Sequence, residues 1–183
     1  QASLTGHLVL STLHTNSAVE TIVRLLEIGM DEFNFADALR GVLSQRLVKT
    51  LCASCKVPYL PEQNDLQMLA KDYYRETGKQ DEIKKNDIDK LIQSWREVNF
   101  GGKDITLFKA TGCRECADTG YRGRIGVYEI LESTPEINKH ILNKANTYEI
   151  QSTALSQGMK TMKQDGITKI IKGYTDHSQI RIL

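Results

Sequence analysis

Apolar residues in the first fifty positions follow a pattern that predicts one strand and two helices. Residues 7–13 form a short apolar run bounded by Gly6 and by polar residues, which is typical of a buried strand with an exposed carboxyl end. Ser17 is a predicted N-cap, and apolar residues at helical spacing follow it up to Gly29, a predicted left-handed C-cap. Residues 33–47 repeat the helical spacing. This region is therefore predicted to be part of an α/β layer whose other strands lie outside the chain.

The stretch from 62 to 104 differs from the rest of the chain in its charge density. It holds 18 charged residues among 43, against 29 among the other 140. Such enrichment favours a solvated surface insertion over a core element, with helices around 62–76 and 87–97. Gly101 and Gly102 are predicted to close this insertion.

The last sixty residues predict one strand followed by helices. Residues 124–131 have the composition of a strand. Thr134 is followed by a proline and an acidic residue, a combination that predicts a helix start. Three more helices are predicted, at 147–158, at 159–171 with an interruption at Gly166, and at 175–182. The chain is therefore predicted to be a mixed, helix-rich α/β protein that ends in a small helical bundle.

Composition and charge narrow the possible functions. Hydrophobic residues make up 40% of the 183 positions, which is ordinary for a soluble globular protein. A formal net charge of +1 gives no global basic excess, which argues against a nucleic-acid or anionic-membrane binder. No run of 18 apolar residues is present, so no membrane-spanning helix is predicted. The chain begins without Met and without a signal peptide, which indicates an internal or processed piece.

All four cysteines lie in two Cys-x-x-Cys pairs, which predict a zinc site. The pairs are Cys52 with Cys55 and Cys113 with Cys116. Two intervening residues let both sulfurs of a pair reach one ion at about 2.3 Å, and two pairs complete a tetrahedron. Such a site is structural, because all four positions are protein ligands and none is left for water. It would join the two ends of the charged insertion. Nearby basic residues can offset the thiolate charge, namely Lys49, Lys56, Arg114, Arg122 and Arg124.

Three alternatives use the same cysteines. Two disulfides are one of them, and a redox Cys-x-x-Cys is another, although neither pair lies between a strand and a helix as that motif requires. The third is a zinc ribbon that binds nucleic acid, which the long gap between the pairs and the balanced charge disfavour. A non-enzymatic, zinc-stabilised interaction module therefore remains as the rival class of function.

Three segments in the same order resemble the type II secretion and type IV pilus assembly ATPases. The segment Leu4-Thr-Gly-His-Leu-Val-Leu-Ser-Thr-Leu-His-Thr-Asn16 is similar to the histidine box of that family. Residues 112–129 resemble its second zinc knuckle and the following strand, and residues 41–48 resemble the segment that leads to the first knuckle. The resemblance covers nearly the whole chain, and the four cysteines favour an assembly or secretion motor over a retraction motor.

The resemblance implies three parts and an incomplete nucleotide site. Residues 1–50 would be the C-terminal remnant of a RecA-like ATPase domain, residues 51–131 a four-cysteine zinc subdomain with the charged insertion, and residues 132–183 a C-terminal helical subdomain. In that family the phosphate-binding loop lies upstream of the histidine box, and no Gly-x-x-x-x-Gly-Lys-[Ser/Thr] occurs in this chain. The resemblance thus implies an ATP hydrolase in the full-length protein and no hydrolysis by this chain alone.

Site residues and partners also follow from the resemblance. His14 is the candidate that senses the γ-phosphate or its attacking water, and Thr12 is a second candidate. Gln45 and Arg46, placed late on the second predicted helix, would face a neighbouring subunit or pack at the edge of the core. The full-length protein would bind ATP and Mg²⁺ besides structural zinc. It would form a homo-hexamer at the cytoplasmic side of the bacterial inner membrane, act on a platform protein there, and bind no nucleic acid.

Overall fold

The computed structural model describes residues 2–75 and 83–183 and confirms the predicted mixed α/β class. The helices of the described residues are α1 Ala18–Glu27, α2 Glu32–Ala38, α3 Gln63–Arg75, α4 Lys85–Phe100, α5 Pro135–Leu142, α6 Thr147–Ser156, α7 Met162–Ile171 and α8 His177–Ile180. The strands are β1 Gly41–Leu51, β2 Val57–Tyr59, β3 Leu107–Lys109 and β4 Tyr121–Glu132. None of the helices in these two described stretches is long and apolar enough to cross a membrane.

Two pairs of strands form the sheets. β2 and β3 pair antiparallel, with Val57 opposite Lys109. β1 pairs with β4. At one end of this second pair Ser133 N donates to Arg40 O, and at the other end Cys52 N donates to Gly120 O, so β1 and β4 also run antiparallel.

Contacts divide the chain into two compact units. The first contains Gln1–Gln45 and Glu129–Lys160, and the second contains Arg46–Tyr128 and Thr161–Leu183. The core of the first unit is built from α1, α2, α5, α6 and the end of β4, with Ile22, Leu131 and Ile137 fully buried. The predicted C-terminal helices are present. Helices α5 and α6 belong to the first unit, and α7 and α8 belong to the second. The three sequence segments at 1–50, 51–131 and 132–183 stay predictions about domain organisation.

Helices α3 and α4 supply much of the core of the second unit. Their buried residues recur at helical spacing and pack with β4, α7 and α8; they are Leu66, Leu69, Ala70, Ile88, Ile92 and Trp95. The Trp95 ring meets the Tyr73 ring edge-on, with 6.0 Å between the ring centroids. The predicted helices in this stretch are confirmed, but the prediction of a solvated insertion outside the core is wrong. The charged residues cover the outer faces of two helices whose inner faces are apolar.

The helix predicted for residues 33–47 is wrong beyond Ala38. The chain becomes extended at Leu39 and continues as β1, where Leu43 is exposed and Val48 is buried. Gln45 and Arg46, expected late on a helix, therefore lie on this strand. The apolar residues in this short segment fit both the helical and the strand period. The segment forms a strand because it pairs with β4.

The strand predicted for residues 7–13 is also absent. These residues have no regular secondary structure, and their side chains are exposed, with Leu8 83% and Leu10 88% accessible. Within the described part of the chain no strand lies beside them, so their backbone groups have no ladder partner. A β-strand depends on such a neighbour, whereas a helix satisfies its own backbone.

Local signals at helix ends are confirmed. Ser17 accepts from Glu20 N and Thr134 accepts from Ile137 N, while Gly29 has the left-handed φ of 98°.

Gly166 does not interrupt α7. A Cβ at this position would lie 2.7 Å from Ile180 Cδ1, so the glycine lets α8 pack closely against α7.

Candidate metal centre

The ends of both strand pairs bring the two Cys-x-x-Cys segments together. Cys52 directly follows β1, and β2 begins two residues after Cys55. Cys113 and Cys116 lie between β3 and β4. Since β1 pairs with β4 and β2 pairs with β3, both pairings converge on the same place. The hydrogen bond from Cys52 N to Gly120 O, 2.9 Å long, joins the two segments directly.

The four sulfur atoms have the spacing of a tetrahedral thiolate site. All of them lie within 4.8 Å of one another. The Sγ–Sγ distance is 4.0 Å for Cys52 with Cys113, 3.8 Å for Cys55 with Cys116 and 3.8 Å for Cys113 with Cys116. A tetrahedron with bonds of about 2.3 Å has edges of about 3.8 Å, whereas a disulfide requires about 2.05 Å. The cysteines are free thiols in this arrangement, so the geometry fits a metal ion and not two disulfides.

Backbone amides point at the sulfur of Cys116. The N–H groups of Cys113 and Gly120 both donate to Cys116 Sγ at 3.2 Å. Burial raises the pKa of the Cys116 thiol, but these donors outweigh it and bring the pKa down to about 7. In Cys113 a backbone hydrogen bond lowers the pKa, yet burial and the neighbouring thiols bring it to about 11. The backbone donors therefore stabilise a thiolate at this position, and the thiolate is the form that binds metal.

The second Cys-x-x-Cys segment needs an unusual backbone. Ala117 and Asp118 both have positive φ, 49° and 57°, which turns the chain sharply after Cys116. Gly120, with φ of 77°, completes the turn, and a Cβ there would lie 2.6 Å from Ala110 Cβ. The run Cys116-Ala-Asp-Thr-Gly120, which begins at the last of the four cysteines, thus turns the chain back into β4 beside β1.

Side chains on the surface link the two cysteine segments. Glu115 accepts from Ser54 Oγ at 2.7 Å and forms an ion pair with Arg122 at 3.0 Å. Lys56 Nζ donates to Gly173 O at 2.8 Å and lies 4.4 Å from the centroid of the Phe108 ring. Arg122 and Lys56, two of the cations predicted to lie near the thiolates, are therefore engaged by protein groups around the centre.

A turn after α7 holds both strands that flank the centre, and the sequence did not reveal it. Thr175 is fully buried, and its hydroxyl donates to Lys49 O at 2.8 Å. Leu51 N donates to Tyr174 O at 2.9 Å, next to the first ligand. Tyr121 Oη donates to Asp176 at 2.6 Å, and burial together with this carboxylate raises the pKa of the tyrosine. These contacts tie the ends of β1 and β4 to the C-terminal turn.

The two predicted catalytic residues lie in the first unit on the segment without regular structure. His14 and Thr12 are both exposed. Neither side chain has a hydrogen-bond partner within residues 2–75 and 83–183. The structure leaves their predicted role in catalysis as a prediction.

The residues immediately after His14 are held firmly. Thr15 Oγ1 lies 2.6 Å from Thr21 Oγ1 on α1, and Asn16 N donates to Glu20 at 2.9 Å. Ala18 N donates to Oε1 of Glu129 at 2.8 Å. Glu129 is missed by the sequence analysis, although the alternation along β4 places it on the same inward side as its buried neighbours two residues away.

Fold and site together define a mixed α/β protein with a four-cysteine centre able to hold a metal ion. Comparison with known proteins identifies the group. The family model described as "Type II/IV secretion system protein" matches residues 1–181, and the chain belongs to this family. The relatives include type IV pilus assembly ATPases PilB of Acinetobacter baylyi and Thermus thermophilus, 36% and 37% identical over 98% of this chain. The type II secretion system protein E of Pseudomonas aeruginosa is 35% identical over the same share. The chain spans 27%, 17% and 30% of the length of these three proteins, respectively.

Proposed function

We propose that this chain is the C-terminal part of a hexameric ATPase that powers assembly of a type II secretion pseudopilus or a type IV pilus. The observation that carries the proposal is the family match across residues 1–181, which includes both the histidine segment and the cysteine pairs. Relatives named as pilus assembly ATPases and as secretion proteins match the chain almost equally well, so both kinds of machine fit the proposal.

The four cysteines would hold one structural Zn²⁺. The Sγ–Sγ distances of 3.8 to 4.0 Å suit a tetrahedral ion, and an all-thiolate set suits zinc. When bound, the ion supplies a cross-link and no chemistry on a substrate, since the protein fills all four positions. The chain's own contribution is to hold the strand ends and the backbone donors of Cys116 in place around it.

ATP and Mg²⁺ would bind in the intact protein at a site of which this chain supplies only a part. The sequence contains no phosphate-binding Gly-x-x-x-x-Gly-Lys-[Ser/Thr] loop. We therefore expect the 183-residue chain alone to hydrolyse no ATP. His14, with Thr12 as second candidate, would act near the γ-phosphate, where an imidazole donor stabilises charge on the transferred phosphoryl group.

The intact ATPase would work mechanically at the inner membrane. Six subunits would form a ring in the cytoplasm, peripheral to the membrane, and pass domain motion to a platform protein that adds pilin-like subunits to a filament. The metal centre would keep the second unit rigid enough to transmit that motion. Nucleic acid is not expected as a partner, because the net charge of +1 offers no strong attraction to phosphates.

Replacing His14 by alanine tests this assignment. In the intact ATPase we expect the His14→Ala variant to lower kcat for ATP hydrolysis about 100-fold, the usual effect of losing a group that stabilises the transition state. The matched control is His7→Ala, an exposed histidine on the same segment whose ring is hydrogen-bonded locally, to Thr5 and Ala2. Steady-state kinetics that show equal rates for both variants would remove His14 from the catalytic machinery.

A further inference from the structure

The carboxylate of Glu129 lies inside the first unit at the start of α1. Glu129 is only 6% exposed, and its Oε1 accepts a hydrogen bond from the backbone N–H of Ala18 at 2.8 Å. Ala18 is the first residue of α1, so this N–H is one of the donors that the helix itself cannot satisfy. A buried carboxyl group rarely lacks a defined hydrogen-bond partner, which gives this bond structural weight.

Three further hydrogen bonds hold the residues between His14 and Ala18 against the start of α1. Ser17 caps α1 by accepting from Glu20 N at 3.1 Å, and Glu20 in turn accepts from Asn16 N at 2.9 Å. The hydroxyl of Thr21, itself buried, lies 2.6 Å from that of Thr15. The chain is thus fixed from Ala18 back to Thr15, one residue from His14, while residues 7–14 are exposed.

We propose that Glu129 is a positioning residue for His14. Strand β4 is anchored in the core by Leu131, which is fully buried. Glu129 lies two residues earlier on the same face, and its side chain fixes the start of α1. Residues Thr15 to Ser17 connect the start of α1 to His14, so this contact also fixes the position of the backbone next to His14. This inference rests on the proposed catalytic function of His14. It adds a second residue, which lies 111 positions after Ala18 in sequence and sets the geometry of the site.

Chemistry separates two variants at this position. Glu129→Gln keeps a side-chain oxygen that can accept from Ala18 N. Glu129→Ala removes the acceptor and leaves the Ala18 N–H without its partner. Positioning by the hydrogen bond therefore predicts that glutamine rescues much of what alanine loses.

Hydrogen exchange of the 183-residue chain tests the anchor directly. We expect Glu129→Ala to raise the exchange rate of the amides of residues 15–18 about 10-fold or more, with Glu129→Gln close to the parent chain. The control is Glu132→Ala, an exposed acid three residues further along β4. Unchanged exchange in Glu129→Ala would overturn the proposal whatever the enzyme does.

Kinetics of the intact ATPase test the link to His14. We expect Glu129→Ala to lower kcat about 10- to 100-fold with little change in KM, since misplacing a catalytic group by about 1 Å has effects of that size. Glu129→Gln should recover most of the rate, and Glu129→Ala should cost nothing further in a His14→Ala background. An additive loss in the double variant overturns the positioning role alone. A His14→Ala enzyme of normal rate instead overturns the proposed function of His14, and with it the catalytic part of this inference.

Discussion

Changing Cys113 to serine is expected to abolish zinc binding and to lower the stability of the second unit. Serine is close to cysteine in size but does not ionise at neutral pH, so the substitution removes a ligand with little change in packing. Cys113 is the suitable position because it is not among the fully buried side chains, whereas Cys52 is.

The expected size follows from the loop that the centre closes. A cross-link across a loop of about 60 residues, such as the one between Cys55 and Cys113, is worth about 4 kcal/mol of chain entropy. In a chain of this length that corresponds to a decrease in Tm of about 10 °C. The measurements are metal content by mass spectrometry of protein purified without chelator, and thermal unfolding followed by circular dichroism.

Ser54→Ala serves as the control for this substitution. Ser54 lies between the first two cysteines of the site, and its hydroxyl donates to the exposed Glu115, so its variant should keep one zinc per chain and nearly the parent Tm. A Cys113→Ser protein that retains a full equivalent of zinc and the parent Tm would contradict the four-thiolate centre.

Features that depend on neighbours in the sequence were predicted from the sequence. The caps at Ser17 and Thr134 each satisfy a backbone donor three residues away, so the residue type and its position suffice to find them. The Cys-x-x-Cys spacing likewise fixes which sulfurs can share an ion within a pair. That both pairs meet was inferred from their number, and the structure confirms that the four sulfurs lie together.

Features that depend on distant residues were not predicted. Whether residues 41–47 form a helix or a strand is decided by pairing with β4, which lies some eighty residues later in the chain. The apolar run at 7–13 would need a neighbouring strand that the described residues do not supply. The roles of Glu129 and Thr175 depend on backbone groups more than 100 positions away, and no local pattern signals such bonds.

The prediction of a solvated insertion at residues 62–104 is wrong for a related reason, because it rests on charge density alone. Counting charged residues between 62 and 104 averages over both faces of α3 and α4, and so hides the apolar face. Taken at helical spacing, the same segment shows Leu66, Leu69 and Ala70 together and Ile88, Ile92 and Trp95 together. A solvated insertion can therefore have the same composition as a pair of amphipathic helices with charged outer faces. The two are distinguished by the periodicity of their apolar residues.

Trp95→Ala is expected to be among the most destabilising single changes in the second unit. The indole is 7% exposed and packs in the core cluster with α3, where Tyr73 meets it edge-on. Removing a buried tryptophan side chain costs about 3–5 kcal/mol, because the transfer free energy is lost and a cavity remains. Urea denaturation followed by far-UV circular dichroism measures this loss. Trp95 is the sole tryptophan of the chain, so intrinsic tryptophan fluorescence disappears in the variant and cannot report its unfolding.

Val98→Ala on the same helix provides the matched comparison. Val98 is 82% exposed, so its replacement should change the unfolding free energy by less than about 0.5 kcal/mol. Because the two positions share one helix, helix propensity is tested by both variants and burial by Trp95 alone. If both variants unfolded at the same urea concentration, α4 would not belong to the cooperative core, and residues 62–104 would behave as the solvated insertion that their charge predicts. A large difference between them instead makes this helix pair part of the cooperative body that the proposed zinc ion would cross-link.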